Sequence, residues 1–197
     1  MSTKLILIRH GSTQWNLKKR YCGFTDLGLN ADGKKQTRKL YKRLKGNPVD
    51  KIYSSDRRRA IETAKIIFRS SKFEKMPDLR EMHFGVFEGL TYDEIMKRHP
   101  VIYKRWLDDP YSITIPKGEG LSEVKKRVVS AFKKIIALNI NKTVAVVCHG
   151  GAISVFLNHI LGSKNFWKHI PKSASISIVE YKKGKPKIKL FNDTMHL

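Results

Sequence analysis

Two segments of this chain place an imidazole beside glycine directly after an apolar run: Arg9-His10-Gly11 follows Leu5 to Ile8, and His149-Gly150-Gly151 follows Val144 to Cys148. A third run, Lys51-Ile52-Tyr53, leads into Ser54-Ser55-Asp56-Arg57-Arg58-Arg59. Imidazole changes charge near neutral pH and serves as nucleophile or proton carrier. Arginine offers a planar, permanently charged fork to phosphoryl oxygens, and glycine lets backbone N–H groups come close to an anion. Brought together, these residues make a pocket for phosphate. Taken singly they are ordinary: a histidine at a strand end is usually a structural side chain, and Arg-His-Gly arises by chance in unrelated proteins.

The elements around these residues decide whether they meet. Short β-branched runs such as Leu5–Ile8, Lys51–Tyr53 and Val144–Val147 read as strands buried on both faces of a sheet, while 175–181 and 187–191 read as an edge hairpin around Gly184-Lys185-Pro186. Apolar residues at helical spacing mark helices over Ala60–Phe68, with Asp56 as its N-cap, over Leu121–Ile135, over Asn30–Lys45 closed by Gly46, and over Gly151–Leu161 closed by Gly162. The alternation predicts an α/β fold, a three-layer α/β/α sandwich around a mostly parallel mixed sheet. Ligands of such sheets sit beyond the carboxyl ends of the strands, where both histidines fall. Residues 76–120 break the rhythm with four prolines and a capping-box start at Thr91-Tyr92-Asp93-Glu94; they read as an inserted cover within a single domain over 1–197.

Lys and Arg number 40 against 17 Asp and Glu, a net charge of +23. The excess is uneven: residues 1–55 carry +10, 56–120 only +2, and 121–197 carry +11. The basic residues fall in pairs on helical stretches with no interleaved aromatic RNA-binding signature, so a solvated surface is expected rather than a specific nucleic-acid face. Cys22 and Cys148 are too far apart in sequence to form a metal-ligand cluster, and they suggest no disulfide framework. No metal or other cofactor is expected. The four-residue apolar run before Arg9 is too short for a signal peptide or membrane span, so a cytoplasmic protein with no membrane partner is expected.

Beyond the individual pieces, Arg9-His10-Gly11-Ser12-Thr13-Gln14-Trp15-Asn16 resembles the signature of the histidine phosphatase superfamily, in its phosphoglycerate mutase-like branch. The resemblance continues in order through Arg20-Tyr21-Cys22-Gly23, Leu29 to Gly33, Tyr53 to Asp56 with Arg59-Ala60 and Thr63-Ala64, and Leu79-Arg80-Glu81. It runs on through Phe84-Gly85, Glu88-Gly89, Gly118-Glu119, His149-Gly150-Gly151 and Asn192 to Leu197. Independent motifs in fixed order multiply in specificity. The resemblance implies that His10 is the nucleophile, that Arg9, Arg59 and His149 hold the phosphoryl oxygens, and that Glu81 is the proton donor. It also implies that Gly11, Asn16, Cys22, Gly23 and Gly150 line the substrate site. Arg57 and Arg58 are then solvated or at the rim, Glu88 is structural, Cys148 is packing, and His83, His99, His159 and His169 are ordinary.

Against the longer mutases of the family, 197 residues suggest a phosphatase acting on small-molecule phosphate monoesters. Glu81 to Glu88 and Ile115 to Gly120 resemble the alpha-ribazole phosphatases most, which implies alpha-ribazole 5'-phosphate as substrate. A broad-specificity acid phosphatase, a phosphoserine phosphatase and, further off, a mutase are the alternatives. A catalytically silent phosphate-binding module and a polyanion-binding protein are the readings from other classes. The sequence leaves monomer and homodimer equally open.

Overall fold

A computed structural model describes residues 2–69 and 72–197. In chain order its elements are β1 (Ser2–Arg9), α1 (Gln14–Leu17), α2 (Ala31–Leu44), β2 (Lys51–Ser54), α3 (Arg58–Phe68), β3 (Glu74–Lys75), α4 (Tyr92–Arg98), α5 (Pro100–Asp108), α6 (Leu121–Leu138), β4 (Thr143–Cys148), α7 (Gly150–Leu161), β5 (Ile176–Lys182) and β6 (Lys185–Asp193). The strands form one sheet in the order β3-β2-β4-β1-β5-β6. The first three pairings are parallel, and β5 and β6 are added antiparallel. The expected mixed, mostly parallel sheet is therefore present.

Side chains alternate across a strand, and β1 shows what that does. Leu5 and Leu7 enter the apolar cluster formed with α6 and α7, whereas Ile6 and Ile8 enter a second cluster with Leu40 of α2 and Ala60, Ala64 and Ile67 of α3. Both faces are covered, which accounts for the unbroken apolar runs and makes three layers. Phe132 of α6 stacks on Phe156 of α7 with ring centroids 3.8 Å apart.

Local chemistry sets the helix ends. The Asn30 side chain accepts the Gly33 N–H at 2.7 Å to start α2, and Thr91 with Glu94 forms the expected capping box of α4. Gly162, with φ of +64°, ends α7 in the left-handed conformation that glycine adopts without penalty. Asp56 is a correction: Arg57 is the N-cap of α3 and makes no side-chain capping bond, because the Asp56 carboxylate is held by the Nε and Nη2 of Arg80. A second helix in the middle segment, α5, was not anticipated; it starts on Pro100, whose missing N–H costs nothing at the first helical position. Residues 76–120 bury Leu79, Met82, Phe87, Tyr103, Trp106 and Ile115 in the same cluster as Leu5 and Leu7.

Candidate active site

The register brings the three polar strand ends to one edge. Arg9 stands opposite Cys148 and Ser54 opposite Val147, so His10, Ser55 and His149 leave the sheet side by side. The His10 and His149 rings meet edge to face with centroids 5.1 Å apart.

His10 is 4% exposed, and its Nδ1 lies 2.8 Å from the carbonyl oxygen of Gly11. A carbonyl only accepts, so Nδ1 carries the proton and Nε2 keeps its lone pair. Burial, then the charges of Arg59 and Arg9, push the His10 pKa well below the usual histidine value. The ring is thus neutral at physiological pH, the state a nucleophile requires. Arg9 reaches the Pro171 carbonyl through Nη1, and its Nε is buried without a hydrogen-bond partner.

Glu81 is 8% exposed; Oε2 accepts the Gly151 N–H at 2.9 Å and Oε1 the Met82 N–H at 3.0 Å. Its carboxyl therefore sits on the first turn of α7. Gly151 is required for this contact: a Cβ there would stand 2.2 Å from Glu81 Oε1. Gly150 opens α7 against Arg9, whose Cζ would be 3.2 Å from a Cβ at that position.

Arg59 and His149 are fully buried. Arg59 Nε donates to His149 Nδ1 at 3.3 Å, which leaves the proton on His149 Nε2, 2.8 Å from Ser55 Oγ. Desolvation and then Arg59 hold the His149 pKa well below normal. The Arg59 Nη atoms donate to the carbonyls of Thr25 (2.9 Å), Gly23 (2.7 Å) and Cys22 (3.4 Å), so this side chain fastens the 22–25 loop.

A cavity of about 170 Å³ opens in front of His10. It is lined by Arg9, His10, Asn16, Cys22, Glu81 and Gly150 of the residues anticipated from sequence; Arg59, His149, Gly11 and Gly23 stand outside its lining. The N–H groups of the last two are engaged within the protein. Gly11 N–H is taken by Thr63 Oγ1 at 3.1 Å and Gly23 N–H by Glu88 Oε1 at 2.9 Å, because both glycines serve close packing, against Gly33 and Met82 respectively. Glu88 also accepts from Thr25 and Phe84 and so organises that loop. Asn16 closes the α1 capping box with Thr13 through Oδ1. Burial pushes the Cys22 thiol up to about 11, so it is protonated at neutral pH.

The cavity also has walls that residue-by-residue reading missed: Tyr21, Phe84, Trp106, Phe166 and Trp167, with Arg20. Arg20 is held by both carboxylate oxygens of Glu94 and by the Gly89 carbonyl. Trp167 packs on Trp106 at 4.9 Å and donates to the Leu107 carbonyl at 3.1 Å. Arg20-Tyr21 was visible in the motif order, but nothing in the sequence joins Trp106 to Trp167. Among the described residues no group of three His, Cys, Asp or Glu side chains is arranged to hold a metal ion, and no helix is long and apolar enough to cross a membrane.

The model of the histidine phosphatase superfamily (branch 1) matches residues 5–194. Phosphoserine phosphatase 1 of Hydrogenobacter thermophilus is 32% identical over 98% of this chain and 94% of its own length. A phosphoserine phosphatase mutant from Entamoeba histolytica, solved in complex with phosphoserine, superposes with a TM-score of 0.90 at 31% identity over 99% of each chain. The alpha-ribazole phosphatase of Shigella flexneri superposes with a TM-score of 0.87 at 25% identity, over 97% of this chain and 96% of its own. The strand-end histidines, the arginines behind them and the order of the connecting motifs thus have one explanation: the chain belongs to branch 1 of the histidine phosphatase superfamily and is a phosphatase.

Proposed function

We propose that the protein hydrolyses small phosphate monoesters through a phosphohistidine on His10. The observation that carries this reading is the neutral His10 ring, fixed by its Nδ1–H bond to Gly11, at a cavity that also holds Arg9 and Glu81. In the first step the Nε2 lone pair attacks phosphorus, the bond to the ester oxygen breaks, and the protonated Glu81 carboxyl gives its proton to the departing alkoxide. In the second, water attacks phosphorus, Glu81 takes a proton from it, the P–N bond breaks and neutral His10 returns with release of phosphate. Arg9, with its unpartnered Nε, neutralises phosphoryl charge at short range, while Arg59 contributes its charge and the placement of His149 and the 22–25 loop. These cations supply the charge stabilisation, so the reaction proceeds in EDTA. Residues 76–120, which bring Glu81, Phe84 and Trp106 to the cavity, act as its cover.

A cavity of about 170 Å³ lies below the range of about 300–1,000 Å³ that accommodates drug-sized ligands. This favours a leaving group the size of serine over the nucleoside of alpha-ribazole 5'-phosphate, which the sequence alone ranked first. The full-length phosphoserine phosphatase relatives support the same choice. Rapid quench with labelled phosphoserine should place an acid-labile label on the wild-type protein and none on His10→Ala. Label retained in His10→Ala, or turnover abolished by EDTA, overturns the mechanism. A higher kcat/KM for alpha-ribazole 5'-phosphate than for phosphoserine overturns the substrate choice alone.

A further inference from the structure

At the amino end of the sheet, away from His10, a second and larger concavity lies between the C-terminal halves of α6 and α7 and the turn joining β5 to β6. Its volume is about 660 Å³, within the range of small-molecule sites. Its walls are apolar: Ile136 and Ala137 of α6, Phe156 and Ile160 of α7, and Tyr181 and Pro186 of the hairpin. Two cations, Lys133 and Lys183, stand at it, and among the described residues no carboxylate lines it. Thr3 at the start of β1 also lines it, whereas His10 follows the other end of that strand, so the two cavities lie a strand length apart, roughly 20 Å.

We propose that this groove binds a free single-chain anionic amphiphile of the fatty-acid class, its chain along the apolar walls and its carboxylate between Lys133 and Lys183. Three observations select that occupant. The groove is concave, and its walls are mainly apolar side chains of α6, α7 and the hairpin, which suits an alkyl chain. Among the described residues, the ionised groups that line it are the ammonium groups of Lys133 and Lys183, which suits a carboxylate head. A second copy of the protein is disfavoured because a face pairing with itself would bring the lysines that line the groove, Lys133 and Lys183, against their own copies. The site is distinct from the phosphoryl pocket, although α7 runs from Gly150 beside Arg9 to Ile160 in the groove.

Calorimetric titration of the intact chain with octanoate, decanoate and dodecanoate below their micelle concentrations tests this. One molecule should bind per chain, and affinity should rise by up to about fourfold for each added methylene until the groove is filled. Dodecanol should bind more weakly and dodecyltrimethylammonium not at all. Ala137 is exposed, so Ala137→Trp fills the groove without disturbing the core and should abolish binding while kcat/KM for phosphoserine is unchanged. The pair Lys133→Glu with Lys183→Glu, both also exposed, should weaken dodecanoate but not dodecanol. Binding that survives Ala137→Trp, that is equally strong for the cationic amphiphile, that inorganic phosphate displaces, or that requires many molecules per chain overturns the proposal. Sedimentation showing a dimer whose formation excludes dodecanoate assigns the groove to a second copy and overturns it equally.

Discussion

At the residue scale, Glu81 and Gly151 act as one unit, because the carboxyl rests on an N–H that only a glycine leaves accessible. Glu81→Gln should slow phosphoserine hydrolysis severely while sparing the phosphorylation step with p-nitrophenyl phosphate, whose leaving group departs without a proton. Gly151→Ala forces the carboxyl aside and should reproduce that selective loss, with the acid still present. Single-turnover assays on both substrates read the difference, and equal losses on both would remove Glu81 from the role of acid. The two buried histidines also tie stability to pH. His10 and His149 have folded-state pKa values well below the ordinary 6.5, so below that value the unfolded chain takes up protons that the folded chain refuses. Their contribution to stability is complete above pH 6.5 and is lost as pH falls through it, at up to about 1.4 kcal/mol per pH unit for each ring. Urea denaturation between pH 7.5 and 5 should show this loss, with a shallower slope in His149→Gln.

At the element scale, the loop that follows His10 is held by the start of α2. Asn30 caps that helix, donates from Nδ2 to the Thr13 carbonyl at 3.2 Å, and receives the Ser12 carbonyl on its own N–H at 3.0 Å. Gly33 then packs so closely that a Cβ would lie 2.0 Å from the Ser12 carbonyl oxygen. Asn30→Ala should cost about 1 kcal/mol of stability through loss of the cap. Because the backbone bond to Ser12 survives, kcat should change little; urea midpoints and steady-state rates together check both halves. Elements with strong local signals were legible: α2 by Asn30 and Gly46, α4 by its capping box, and α7 by apolar content and Gly162. The position of Asp56 was not, since its side chain chose between a helix cap and an arginine brought in from residue 80, and the charged partner won.

At the scale of the whole molecule, the charge is distributed as the catalysis would use it. The outer thirds, +10 and +11, supply the strand ends with His10 and His149, and the middle third, at +2, supplies Glu81 with Phe84 and Trp106 of the aromatic walls. A dianionic substrate is drawn by that field from a distance, and salt screens it over about 10 Å at 0.1 M. We therefore expect kcat/KM for phosphoserine to fall as NaCl rises while kcat stays nearly constant, because Arg9 acts at short range once substrate is bound. A kcat/KM independent of salt would leave the surface lysines a role in solubility alone.

By itself the sequence determined the main strand runs, the strongly capped helices and the family, and it singled out the candidate site residues, because each of these is written in a contiguous stretch or in the order of several. His10, Arg9 and Glu81 were legible in this way, and the cavity includes all three. Only the tertiary structure decided what their neighbours do. Gly11 and Gly23 give their N–H groups to Thr63 and Glu88, and Arg59 turns to the carbonyls of the 22–25 loop; Trp106 and Trp167, 61 positions apart, form one wall. The reason is physical: a buried donor must find an acceptor and an aromatic edge must find a face, and those partners are chosen by proximity after folding. The groove at the other end of the sheet was unreadable for the same cause, since α6, α7 and the hairpin each expose an ordinary surface until they meet.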